Sequence, residues 1–132
     1  MENKYDRTTP LGAARYFQDC IRNGDVIAAL DCFDEEAIYI TEPGKFVKGK
    51  AQIREALEKV CSLKPDLQAL RAVDFITGNI ASWVDEWTMK ATLPDGTIIE
   101  MRGISSDILK KQADGNWAYL VDNPYGGIYL NQ

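Results

Sequence analysis

The segment "IASWVDEWTMKATLPDGTIIEMRGISSDILKKQADGNWAYLVDN", residues 80–123, alternates apolar and polar side chains over most of its length. The turn sequences "LPDGT" and "QADGN" divide it into three stretches. A period of two indicates β-strands, and an Asp-Gly pair between two such stretches favours a hairpin turn. We therefore predict three consecutive antiparallel strands, two of them long enough to suggest a strongly curved sheet.

Towards the N-terminus this alternation continues and then gives way to a helical pattern. "DLQALRAVDFI", residues 66–76, predicts another strand, and "AIYIT", residues 37–41, predicts a short one. Apolar residues at helical spacing predict helices over residues 9–23, in a short stretch after Asp25, and over residues 50–62. Three helices grouped on one face of an antiparallel sheet give an α+β fold.

Length and composition fit one domain, with tails at residues 1–8 and 127–132. The chain has 132 residues, of which 45% are hydrophobic, and a net charge of -5 with scattered Lys and Arg. Without a basic face, nucleic acid is not expected as a partner. No apolar run reaches the roughly 18 residues that span a membrane, and "MENKYDRTTP" is too polar for a secretory signal. These features predict a cytoplasmic protein.

The types of residue present restrict the chemistry. The chain has no histidine, so acid–base chemistry must use carboxylates, Tyr, Lys or Cys. Cys20, Cys32 and Cys61 lack the spacing of a metal site, and we interpret them as reduced thiols of the core. No glycine-rich phosphate loop opens a helix. We therefore predict no metal and no cofactor.

Three stretches carry a family resemblance. They are "RYFQDCIRNGDVIAALDCFDEEAIYITEPG", "GKAQIREAL" and "SSDILKKQADGNWAYLVDNPYG". Their order and spacing over residues 9–126 resemble the nuclear transport factor 2-like superfamily, in its SnoaL-like and ketosteroid isomerase-like branch. The resemblance implies a cone-shaped, cystatin-like fold with a pocket between sheet and helices. It also implies isomerase, cyclase or dehydratase activity, or binding alone, and a homodimer formed through the outer face of the sheet.

In the ketosteroid isomerases an Asp base works with an oxyanion hole of a Tyr and a protonated Asp. The resemblance places the protonated acid at Asp107, on one strand face with Ser105 and Leu109. The alternative for Asp107 is an exposed position balanced by a neighbouring lysine. The base falls on Glu42, or on Thr41 if no bulge intervenes.

The family comparison also gives a position for the phenol of the oxyanion hole, and the strand pattern adds Asp85 as a further candidate site residue. The phenol position falls on Phe17, and Tyr16 serves only if the first helix is shifted. Asp85 shares a strand face with Trp83 and Trp87, so it is drawn inward. There Asp85 belongs to the site, to an ion pair with a partner such as Arg102, or to a dimer interface.

The last strand ends with Asp122 before a proline. Alternation groups Ala118, Leu120 and Asp122, and hairpin pairing by family analogy turns them inward. The alternative is a turn in which Asp122 bonds only the local backbone. Aromatic and apolar side chains are expected to line the pocket, although the aromatic ones belong by default to the core or an interface. The residues expected to contact a ligand are Tyr16, Phe17, Tyr39, Trp83, Trp87, Leu109 and Leu120.

Three functions follow. The first is an enzyme without a cofactor, in which an ionised base (Glu42 or Asp122) works with a neutral donor (Asp107 or Asp85). The second is a protein that binds a small apolar or aromatic ligand without turnover. The third is a dimerisation module with a vestigial pocket.

Overall fold

The computed structural model describes residues 5–126 and contains three helices and one six-stranded sheet. Residues 1–4 and 127–132, which include most of the two predicted tails, lie outside the described residues. In chain order the elements are α1 (Pro10–Asn23), α2 (Val26–Leu30), β1 (Phe33–Glu42), β2 (Lys45–Lys48), α3 (Lys50–Ser62), β3 (Asp66–Thr77), β4 (Ile80–Thr92), β5 (Ile98–Lys111) and β6 (Trp117–Asp122). The predicted α+β fold is confirmed.

Local sequence explains the ends of α1. The hydroxyl of Thr9 accepts a hydrogen bond from the amide of Gly12 at 3.0 Å, and Pro10 fits the first turn, where no amide donor is needed. At the other end Gly24 takes a left-handed conformation, with φ of 71°, that favours glycine. The helix then buries Ala14, Phe17 and the rest of its apolar stripe against the sheet.

The strand order across the sheet is β2-β1-β6-β5-β4-β3. The hairpins β1–β2, β3–β4, β4–β5 and β5–β6 are antiparallel, whereas β1 and β6 pair in parallel. These two strands are far apart in the chain, so no tight turn sets their relative direction. The sheet is therefore mixed where an antiparallel one was predicted. The prediction also missed β2, because four residues are too few to show alternation.

Helices cover one face of the sheet, and the hydrophobic core lies between the two layers. Its buried members come from all three helices and from inward positions of β1, β4, β5 and β6. All three cysteines are buried and form no disulfide. None of the helices within residues 5–126 is both long and apolar enough to cross a membrane.

Candidate functional site

A cavity of about 480 Å³ lies between the helices and the inner face of the sheet. That volume is in the range of pockets that hold small organic molecules. Its lining includes three exposed residues of α3, which are Gln52, Glu55 and Lys59. The interior is apolar apart from a few groups. The carboxyl groups and phenols that line it are those of Asp85, Asp107, Asp122, Tyr39, Tyr119 and Tyr125.

Asp107 and Asp122 form a buried pair of carboxyl groups. Ile108 of β5 pairs with Val121 of β6, which places the preceding and following residues, Asp107 and Asp122, side by side on the inner face. Only 4% of Asp107 and 6% of Asp122 is exposed. One oxygen of Asp107, Oδ1, accepts the amide of Asn123 at 2.7 Å. The carboxyl of Asp107 also hydrogen-bonds that of Asp122.

The surroundings of this pair favour protonated forms. Burial, followed by the charge of Asp122, raises the pKa of Asp107 well above its usual range. Burial raises the pKa of Asp122 to about 7, although its hydrogen bond with Asp107 works against that rise. Two carboxyl groups this close titrate as a unit, and burial disfavours ionisation of both at once. Such a pair can both donate and accept a proton near neutral pH.

Asp85 also lines the cavity, and it is 2% exposed. Its Oδ2 atom accepts hydrogen bonds from Arg15 Nη1 at 2.7 Å and from Gln18 Nε2 at 2.8 Å. The sequence suggested Arg102 as an ion-pair partner, which is incorrect, because Arg102 lies on the exposed face of β5. The real partner comes from α1, and strand alternation carries no information about contacts with a helix.

A bulge in β6 changes which residues face the cavity. Leu109 pairs with Tyr119 while its neighbour Ile108 pairs with Val121, so Leu120 is an extra residue in the ladder. Tyr119 and Asp122 therefore lie on the same side, and both line the cavity. The predicted grouping of Ala118, Leu120 and Asp122 is wrong for this reason. Leu120 is half-buried and is not part of the lining, and Tyr119 was missed as a site residue.

Glu42 does not reach the cavity. It lies at the end of β1, where the ladder with β2 shifts register, and its exposed side chain pairs with Lys45 at 2.8 Å. Thr41, the alternative that the sequence left open, lines the cavity instead. The carbonyl oxygen of Thr41 accepts a hydrogen bond from the Tyr125 hydroxyl at 2.7 Å.

The aromatic residues of α1 point in different directions. Phe17 lines the cavity and packs edge-on against Tyr119, with ring centroids 5.1 Å apart. Tyr16 lies outside the cavity, since its ring packs against Tyr5 and under the guanidinium of Arg7. The sequence comparison found Phe17 rather than a tyrosine at the phenol position. Two tyrosines on strands, Tyr39 and Tyr119, line the cavity. Burial, with nearby carboxyl groups, raises the pKa of each, so both are neutral donors.

The two tryptophans of β4 have different surroundings. Trp87 lines the cavity, and its Nε1 donates to the carbonyl of Pro124 at 2.9 Å. Gly103 lies beneath its ring, where an added Cβ would approach Cζ2 to 2.9 Å. Trp83 and Leu109, which were predicted along the pocket, are buried in the core and do not belong to the lining. Among residues 5–126 no cluster of His, Cys, Asp and Glu could hold a metal ion.

Residues 13–120 match the family model described as the SnoaL-like domain. Among curated proteins, none matches this chain. Similar solved structures include a nuclear transport factor 2-like superfamily protein from Salmonella enterica, 20% identical, with a TM-score of 0.77 and coverage of 86% of this chain and 85% of that one. A proposed ketosteroid isomerase from Shewanella frigidimarina is 15% identical, with a TM-score of 0.74 and coverage of 89% and 93%. The association domain of C. elegans CaMKII is 15% identical, with a TM-score of 0.66 and coverage of 85% and 88%.

Proposed function

Because the chain belongs to the SnoaL-like domain family, we propose that it binds a small, largely apolar molecule with a carbonyl group and moves protons next to that carbonyl. The observation that carries this proposal is the buried carboxyl pair of Asp107 and Asp122 at the wall of an apolar cavity. An exposed pair of acids would lose its proton near pH 4, whereas this pair keeps one at neutral pH.

The two acids take different roles in the proposed reaction. Asp122, as the ionised member, accepts a proton from the carbon next to the carbonyl, and the electron pair of that C–H bond moves onto the carbonyl oxygen as an enolate forms. Neutral donors, Asp107 or the phenol of Tyr119, stabilise the oxygen as its charge grows. In a carbonyl compound with a β,γ double bond the enolate is conjugated with that bond, so Asp122 can return the proton to the γ carbon. The double bond then moves into conjugation and the carbonyl re-forms, which completes an isomerisation without any oxidant or cofactor. Cyclisation and dehydration begin with the same proton abstraction.

The cavity's composition supports an apolar ligand over a polar one. Its walls include Phe17, Ile21, Val60, Trp87 and Met89, which offer contact area without hydrogen bonds. A protein that only binds a ligand would need the same apolar walls. An enzyme would need, in addition, proton transfer between the Asp107–Asp122 pair and the bound ligand. Turnover assays on ligands found by binding therefore separate the enzyme from the binding protein.

The first test is the pH dependence of ligand binding. A ketone such as 1-tetralone gains protonated Asp122 as a further donor at pH 6, beside the neutral donors Asp107 and Tyr119, and should bind more tightly there. An enol analogue such as 1-naphthol donates to ionised Asp122 and should bind more tightly at pH 8. Because the pKa of Asp122 is about 7, its ionised fraction changes about tenfold over that interval, and the affinity for 1-naphthol should change by up to about that factor, with a smaller opposite change for the ketone. Isothermal titration calorimetry measures both.

Matched acid-to-amide variants identify the group responsible. Asp122→Asn should remove the opposite pH dependences of the two ligands, whereas Glu42→Gln, at an exposed acid outside the cavity, should keep them. The proposal fails if both ligands bind equally at the two pH values, or if the Glu42 variant loses the effect and the Asp122 variant retains it.

We also propose that two copies associate through the outer faces of their sheets. Four apolar side chains of the outer face are strongly exposed: Val73 at 49%, Phe75 at 70%, Ile104 at 51% and Ile108 at 39%. Val73 and Phe75 lie on β3 and Ile104 and Ile108 on β5, with β4 and its small residue Ser82 between them. Apolar side chains grouped on an exposed face in this way often mark an interface. The sheet of a second copy matches it in shape and chemistry.

A further inference from the structure

The carboxylate of Asp85 uses only one of its two oxygens within the protein. Oδ2 accepts both available hydrogen bonds, from Arg15 and from Gln18. A third bond, from Arg15 Nη1 to Gln18 Oε1 at 2.9 Å, ties these two donors together. The side chain of Asp85 is thereby fixed in one orientation at the cavity wall.

Oδ1, the other oxygen of Asp85, is buried and accepts no hydrogen bond from any residue between 5 and 126. A buried acceptor without a donor costs about 1–3 kcal/mol, and a charged one costs more. Opposite Asp85 in the β4–β5 ladder lies Ser105, which also lines the cavity. Its hydroxyl lies near Asp107 but has no hydrogen bond of normal geometry. Neither oxygen carries exposed surface in this structure, so a ligand group reaches them only where a neighbouring side chain of the wall moves aside. The two groups then offer an acceptor beside a hydroxyl group.

Charge decides what kind of group this wall can bind. Arg15 lies 2.7 Å from Asp85 and already compensates its charge, so an ammonium group at Oδ1 would meet a cation close by. A carboxylate or phosphate would meet three aspartates along the same cavity. A neutral hydroxyl meets neither obstacle. It can donate to Oδ1 of Asp85 and accept from the hydroxyl of Ser105.

We infer that Asp85 Oδ1 and Ser105 form a subsite for a neutral hydroxyl group of the ligand, so that the substrate is a hydroxylated apolar carbonyl compound. This inference rests on the proposed function for the carbonyl end of the molecule. Ser105 lies two residues before Asp107 on β5, so Asp85 and Asp107 are diagonal neighbours across two strands. Such neighbours are about 7–8 Å apart, which separates the hydroxyl from the carbonyl by about one aromatic ring.

The test compares phenol with anisole, which has nearly the same shape but lacks the donor. Measurements at pH 6 keep Asp122 mostly protonated, so that it competes less with Asp85 as an acceptor for the phenol hydroxyl. Phenol should bind the wild-type protein about tenfold or more tightly than anisole, the difference expected for a hydrogen bond to a charged group. Chemical-shift titration by NMR measures both affinities.

Asp85→Asn is the variant that isolates the subsite. Its amide oxygen can accept the two bonds from Arg15 and Gln18, which leaves the NH₂ group on the cavity side. The preference for phenol should fall to about equality or reverse in favour of anisole. A crystal of the wild-type protein soaked in phenol provides a readout that does not depend on the variant's folding. The phenol oxygen should lie within hydrogen-bond distance of Asp85 Oδ1.

The outcomes separate this inference from the proposed function. Phenol and anisole binding equally to the wild-type protein, phenol failing to bind at millimolar concentration, or phenol lying away from Oδ1 in the crystal would each overturn the subsite. A preference that persists in Asp85→Asn and disappears in Asp122→Asn would do the same, while supporting the carboxyl pair. If 1-tetralone and 1-naphthol fail to show the expected pH dependence of binding, that result contradicts the proposed role of the Asp107–Asp122 pair and leaves the Asp85–Ser105 subsite unaffected.

Discussion

Replacing Asp122 by Asn should stabilise the folded protein at pH 8. The folded-state pKa of Asp122, about 7, lies above that of an unfolded aspartate, so ionisation favours unfolding. The stabilising contribution of this group is complete below about pH 4 and is lost as the pH rises through 7. Three pKa units correspond to about 4 kcal/mol, and relaxation of the site reduces this, so we expect a gain of about 2–4 kcal/mol.

Urea unfolding at several pH values measures this effect. The free energy of unfolding of the wild-type protein should fall between pH 4 and pH 8. In Asp122→Asn that fall should be smaller. Asp107→Asn combined with it should flatten the rest, because burial raises the pKa of Asp107 too. Protein concentration must be held constant if the chain dimerises. A variant less stable than the wild type at pH 8 would mean that Asp122 is ionised and well stabilised in the fold.

A charge placed on the outer face of the sheet should separate the dimer. Ile104 is 51% exposed and lies opposite Glu86 on the neighbouring strand. In a monomer, Ile104→Lys therefore gains a nearby acid and should fold normally. In the dimer two lysines would be buried among apolar side chains, and the dissociation constant should rise by about 100-fold or more. Sedimentation velocity over a range of protein concentrations measures it.

Ile27→Lys is the matched control, since Ile27 is 74% exposed on α2, away from the sheet's outer face. This variant should sediment as the wild type does. If the wild-type protein is monomeric at every concentration, or if Ile104→Lys and Ile27→Lys behave alike, the outer face is not the interface between copies.

Strand alternation indicated which side of the sheet Asp85 occupies, and the family resemblance placed Asp107 on the same side. Both lie in long strands whose register is uninterrupted between residues 80 and 92 and their partners on β5, so a period of two holds from end to end. A residue's face could thus be predicted wherever the ladder is regular.

A bulge accounts for what alternation could not predict in β6. One extra residue there brings Tyr119 rather than Leu120 to the cavity, and Leu120, the extra residue, is neither a glycine nor a proline that would mark the bulge in the sequence. In β1, Thr41 rather than Glu42 lines the cavity because the period of two continues from Ala37 through Tyr39 to Thr41. The pairing of Asp85 with Arg15 depends on how α1 packs over the sheet, which is a contact across 70 residues.

The proton that we propose Asp107 and Asp122 share at neutral pH can be followed by a ¹³C NMR titration of the aspartate side-chain carboxyl groups. With resonances assigned from the two Asp→Asn variants, the pair should show one apparent pKa near 7 and another well above the usual range of aspartate. If both carboxyl groups instead titrate near pH 4, as exposed aspartates do, the pair is fully ionised at neutral pH and the proposed proton chemistry has no basis.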